Sequence, residues 1–159
     1  MIDSDNARFI QTGVSISLAA CAPDRLPSMC RGMGCKVSED GRLVSIFVKR
    51  VQAAELLDNI RSSGGRVANV FSLPSSNRTL QLKGVDARIL PFDPRDLPIV
   101  KAHIDDFVRE VLPLGMQEDV VRCVFSCSAD DLVTVVYSPC AAFSQTPGPK
   151  AGEPIASGS

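Results

Sequence analysis

The 159 residues carry 17 Lys and Arg against 18 Asp and Glu, a formal net charge of -1, so the chain as a whole has no pull on nucleic acid or anionic lipid and any basic site must be local. The length is that of one domain, enough to bury a core without staples, and no apolar run approaches a membrane span. The N-terminal "MIDSDNARFIQ" lacks the basic and apolar regions of a secretory signal, so a cytoplasmic protein with neither membrane nor nucleic acid as partner is expected.

In chain order, "GVSISLAAC" alternates Val14, Ile16 and Leu18 with Ser15 and Ser17, the period of a half-buried strand. A turn follows at "APDRLP". "SMCRGMGCKV" is a second strand with Met29, Arg31, Met33, Cys35 and Val37 on one face, where Gly32 and Gly34 mark a bulge or a close approach. "SEDGR" signals a hairpin turn, and the almost wholly apolar "LVSIFVKR" is a third strand buried on both faces. The period then changes: Ala53, Leu56, Leu57 and Ile60 recur at helical spacing, with Gly64-Gly65 as the stop. "RVANVFSLP" returns to strand. "SNRTLQLKG" continues into "VDARIL" as one long strand, with Thr79, Gln81 and Lys83 on one side and Leu80 and Leu82 on the other. A second helix is expected over about 97–112, striped by Ile104, Phe107, Val108, Val111 and Leu112. "DVVRCVFSCS" and "LVTVVYSPCAAF" read as a hairpin about Ala129-Asp130-Asp131. The division is a folded domain over 1–143 and a Pro, Gly and Ser-rich tail over 144–159 whose composition alone predicts disorder. Strands this numerous, with short links and few helices, predict a mainly β protein, an antiparallel barrel with helices packed outside it.

Motifs for nucleophilic catalysis, metal binding and triphosphate binding are missing: there is no G-x-S-x-G, HExxH or P-loop. The single histidine, His103, has no local nucleophile partner and reads as a helix-surface or packing residue. The six cysteines form no CxxC pair and read as reduced structural thiols, with no metal site. "RGMGCK" and "RSSGGR" do not lead from a strand into a helix, so they are a strand irregularity and a helix stop rather than phosphate loops. The paired acids Asp105-Asp106 and Asp130-Asp131 fall on a helix surface and in a turn. No catalytic residue is assigned.

The cations are the remaining candidates. Arg31 lies on the second strand, Lys49 and Arg50 close the third, and Arg78, Gln81 and Lys83 lie on the fifth. As strand neighbours they converge on a phosphate, for which Arg offers paired donors and Lys a point charge. As unrelated strand-end cations they are merely solvated, and spacing alone leaves both readings open.

The run from "GVSISLAAC" through "RTLQLKG", together with the tail "FSQTPGPKAG", resembles the FMN-binding split-barrel proteins related to pyridoxamine 5′-phosphate oxidase, over nearly the whole chain. The resemblance implies a six-stranded antiparallel split barrel, a homodimer with cofactor sites at the subunit interface, and a tail packed on the partner subunit. It also implies FMN as cofactor and a flavin-dependent oxidoreductase acting on a small-molecule substrate. It puts Lys49 and Arg50 where the family holds the cofactor phosphate, and Arg31, Gln81 and Lys83 near phosphate or ring. The chain has no Trp and lacks the oxidase's C-terminal signature, and it reads "VQAAELLDN" where the family has Ser-x-Lys. Pyridoxamine phosphate itself is therefore not the expected substrate. The alternative is a non-catalytic module that binds haem, flavin or deazaflavin on the same dimeric barrel.

Overall fold

The computed structural model describes residues 1–24 and 26–155; Arg25 of the "APDRLP" turn and residues 156–159 of the tail lie outside the described residues. The elements are α1 (Ser4–Ile10), β1 (Ser15–Ala20), β2 (Ser28–Val37), β3 (Val44–Lys49), α2 (Ala54–Ser62), β4 (Val67–Ser72), β5 (Thr79–Gly84), β6 (Arg88–Pro91), α3 (Leu97–Val111), α4 (Glu118–Val124), β7 (Leu132–Tyr137) and β8 (Ala141–Ser144). The eight strands form one antiparallel sheet in the order β6-β7-β3-β2-β1-β4-β5-β8.

This order overturns the six-stranded split barrel expected from the resemblance. The sheet curls until a Cβ on Gly84 of β5 would lie 2.5 Å from the Tyr137 ring of β7, yet it does not close. The reason is local to the C-terminus. The free edge of β5 is taken by β8, and the free edge of β8 is taken in turn by the tail, through the Phe143–Pro154 bridge and the Ile155 amide on the Ala142 carbonyl at 2.9 Å. Residues that composition assigns to disorder thus protect a sheet edge, and Ile155 packs on the core. At the other end β6 pairs with β7 alone, because the chain breaks out of β5 after Gly84 instead of running on as one long strand.

Two cores lie on opposite faces of the sheet. The inner one joins Ile16, Leu18, Ile46, Phe71, Leu82 and Val135 to Phe9 and Ile10 of α1 and to Leu56, Leu57 and Ile60 of α2. Both early helices therefore pack inside the curl, not outside it. The outer core joins Met33, Phe47 and Leu132 to Val100, Phe107, Val108 and Val111 of α3, with Val121 and Phe125 from the α4 region. This explains the apolar character of β3: Val44, Ile46 and Val48 face inward while Phe47 faces α3.

The bulge foreseen in β2 is present and has a consequence for parity. Gly32 pairs with Val48 but Gly34 with Phe47, leaving Met33 as the extra residue. Arg31 and Met33 consequently face outward whereas Cys35 and Val37 join the inner core, so the five residues expected on one face divide between two.

α3 sits against the loop before β1 by close backbone approach. A Cβ on Gly13 would lie 2.5 Å from the Asp106 carbonyl carbon and 2.8 Å from the Phe107 nitrogen. Backbone atoms cannot swing aside as a side chain can, so Gly13→Ala must lift α3 from the sheet. It is expected to cost about 1–3 kcal/mol, read as a lower urea midpoint with unchanged slope; an unaltered midpoint would show that the close approach is not needed.

Candidate functional site

The outward face of the sheet is half covered. α3 and α4 lie over β2, β3 and β7, whereas the residues of β1, β4, β5 and β8 that point the same way are only partly buried. One row across this open half runs Arg31, Ser17, Val70, Gln81 and Phe143, each paired with the next in register. A neighbouring row runs Met29, Ala19, Ala68, Lys83 and Ala141. The floor between the polar ends is thus small and smooth.

The candidate residues divide into three groups. Arg31 and Lys49 come together: they are the next pair of positions after Gly32 and Val48 on adjacent strands, and both face outward. Both engage the end of α4, Lys49 Nζ donating to the Val124 carbonyl at 3.0 Å and the Arg31 guanidinium lying 5.4 Å from the centre of the Phe125 ring. Arg50 follows in the turn, its amide on the Asp131 carbonyl at 2.8 Å and its side chain exposed.

Gln81 and Lys83 form the second group, three strand spacings from Arg31 in the sheet order, roughly 14 Å. Gln145 Nε2 donates to Gln81 Oε1 at 3.3 Å, and Lys83 Nζ sits 4.8 Å from the centre of the Phe143 ring. Thr79, on the same face, is occupied structurally by the Ser72 hydroxyl at 2.7 Å and by Thr146 Oγ1, which accepts from its amide at 2.9 Å. Arg78 stands apart from both groups. It lies 4.0 Å from the centre of the Phe9 ring and donates to Asn6 Oδ1 at 3.2 Å, against α1.

Charge pairing divides the surface cations, with Arg66, Arg88, Lys101 and Lys150, like the candidates, forming no salt bridge among the described residues. Arg8, Lys36, Arg42, Arg61, Arg95, Arg109 and Arg122 all meet a carboxylate. Among the described residues none of Arg31, Lys49, Arg50, Arg78 and Lys83 does.

α1 and α4 are the helices that sequence reading missed, the first of them capped by the Asp3 carboxylate on the Asp5 and Asn6 amides. Alternation through Cys123 and Cys127 suggested a strand, but Val120, Val121, Val124 and Phe125 recur at helical spacing. Glu118 and Asp119 in the first turn and Arg122 in the last complete the helix signal, Arg122 Nε pairing with Glu118 at 2.7 Å. The expected hairpin is accordingly absent: β7 pairs with β3 and β6, and β8 with β5. Between α4, α3 and the sheet lies a cleft of about 450 Å³ with Arg31, Ser15 and Ser72 among its lining residues.

His103 and the buried thiols are held away from reactive states. His103 is 3% exposed, its Nδ1–H donating to the Thr12 carbonyl at 3.1 Å, which leaves Nε2 buried without a partner. Burial lowers its pKa to about 4, the Thr12 bond and Asp106 opposing the shift and Arg31 adding to it. Burial likewise pushes the Cys30 thiol up to about 12, and raises Cys35 too. Among the described residues no helix is long and apolar enough to cross a membrane, and no group of three or more His, Cys, Asp or Glu gathers as a metal site.

Solved structures share this fold at low identity. An F420 reductase superposes with a TM-score of 0.55 at 19% identity, over 89% of this chain and 98% of its own. HupZ of group A Streptococcus gives 0.56 at 12%, over 96% and 100% of the two chains. A Lactobacillus delbrueckii protein assigned provisionally as a pyridoxamine 5′-phosphate oxidase gives 0.55 at 15%, over 89% and 93%. No family model matches the chain, and no curated protein matches it. The likenesses are of fold.

His103 makes stability depend on pH. The unfolded chain takes up a proton near the ordinary value of 6.5 that the folded protein resists until about 4. Stability is therefore full above pH 6.5, falls by about 3 kcal/mol as the pH drops from there towards 4, and levels off below. As the only histidine, His103 can be tested cleanly: His103→Asn, which can still donate to Thr12, should flatten this limb in urea titrations across pH 4–7. Superimposable pH profiles for the two proteins would refute the assignment.

Proposed function

We propose that the protein binds FMN on the open sheet face and works as a flavin-dependent oxidoreductase on a small molecule, as a homodimer. The observation that carries the reading is the pair of cations that close β3, Lys49 and Arg50, neither of them in a salt bridge among the described residues, at the border of an uncovered, small-residue sheet face. Such charges fit a phosphate dianion, Arg by paired donors and Lys as a compact charge. Gln81 and Lys83 supply polar groups across the floor formed by Ser17, Val70, Ala19 and Ala68, which has no bulky side chain to obstruct a flat ring. FMN brings the hydride and electron chemistry, so no nucleophile or histidine base is demanded of the chain. Its residues bind, orient and exclude water.

A second copy laid on the same face would bury Met29 and Phe143 and close the groove from above, which supports the homodimer. The fold shared with pyridoxamine 5′-phosphate oxidase-like and reductase structures supports the cofactor class. The likeness to the F420 reductase favours a second reading, in which the groove takes a deazaflavin instead. A cytoplasmic setting belongs to either reading.

The test is a visible absorbance spectrum of the purified protein, followed by titration of FMN against flavin fluorescence. The wild type is expected to quench FMN stoichiometrically. Lys49→Ala with Arg50→Ala should weaken it about 100-fold, each lost charge-assisted contact being worth about 1.4 kcal/mol or more. Wild-type protein that is colourless and indifferent to added FMN would sink the FMN reading, and selective stabilisation by a deazaflavin would replace it with the second.

A further inference from the structure

The cleft beside Arg31 has a chemistry of its own. Its volume, about 450 Å³, is that of a small-molecule site. Its walls are apolar, from Phe107 and Val111 of α3 to Met116, Val120, Val124 and Phe125. Three of these remain half open to solvent, Met116 at 49%, Val120 at 50% and Val124 at 51%. α4 therefore spends one apolar face, Val121, on the core and turns a second one to this concavity. Arg122 of α4 pairs with Glu118 and with Asp105 of α3, and none of Glu118, Asp119 and Arg122 lines the cleft. Arg31 is the one charged lining residue; it has no carboxylate partner, and the Ser15 and Ser72 hydroxyls stand at the same floor. Arg31 Nη1 already donates to the Ser15 hydroxyl at 3.4 Å, but only an anionic guest supplies the opposite charge that its guanidinium lacks.

We infer that this cleft binds a small organic acid with an extended apolar body, the acid group on Arg31 and the body between α4 and the sheet. The inference rests on the flavin reading only in making that acid the substrate; the binding site itself does not depend on it. Chain or ring acids fit the walls, and basic or strongly polar molecules do not.

Calorimetric titration of the full-length protein with octanoate and with octan-1-ol tests the assignment, alongside FMN titration by flavin fluorescence. Octanoate should bind at least tenfold tighter than octanol, and Arg31→Gln should bring the two together. Val120→Trp, at a half-exposed position, should fill the cleft and weaken octanoate at least tenfold while leaving FMN affinity unchanged; Val124→Trp serves if that variant melts early. Octanoate binding no tighter than octanol, octanoate binding that survives either Trp variant, or loss of FMN along with octanoate in the Trp variants would each overturn it. Wild-type protein that binds octanoate but not FMN would overturn the cofactor reading and leave this one standing.

Discussion

The extra residue at Met33 is the constraint on which the site depends. An antiparallel strand has a strict period of two, so without the bulge the outward Arg31 would share its face with Cys35 and Val37. Those two would then be drawn out of the inner core, or Arg31 driven into it. Inserting Met33 lets one strand serve two hydrophobic cores in succession. Gly34 takes the φ of 149° that follows, a region side chains rarely adopt, and lies beside His103 and Val100 of α3. The same short stretch thus settles where the cation points and where α3 can settle.

From that follows the asymmetry of the outer face. Its β3 and β7 half carries Phe47 and Leu132, large enough to need a helix over them, and α3 and α4 provide it. In its other half β1 and β4 carry Ser, Ala and Val and β5 carries Thr79, Gln81 and Lys83, which need no cover within one chain. Arg31 and Lys49 fall on the boundary between the two halves. There they have helix carbonyls and an aromatic ring on one side and open sheet on the other. A charged ligand at such a boundary is held by groups whose desolvation has been partly met already, which is why unpaired cations there carry more weight than those scattered on a surface.

Much of the sheet was legible because alternation is a local property. β1, β2, β3 and β4, the helix that ends at Gly64-Gly65, and α3 follow from periodicity, and the bulge from paired glycines. The helices α1 and α4, β8 and the tail segment were not. α4 is a short apolar run in which strand and helix periods compete, and the cysteine parity pointed to the wrong one. β8 and the segment to Ile155 gain their order from pairing to β5, a contact some sixty residues away in sequence that composition cannot register. The grouping of candidates was equally hidden: Arg78 and Gln81 lie in one short run, yet strand parity sends Arg78 to α1 and Gln81 to the open face.

By itself the sequence determined that the chain is built mainly of β-strands and that it carries neither a nucleophile motif nor a metal motif, and it singled out a few cations at strand ends. These are matters of residue type and short-range period. Only the tertiary structure decided that the sheet stays open, that Arg31 and Lys49 meet under α4, and that Gln81 and Lys83 face them across a bare floor. Those outcomes depend on strand order and register, which arise from the packing of distant segments on two cores and leave no mark in any local window of residues.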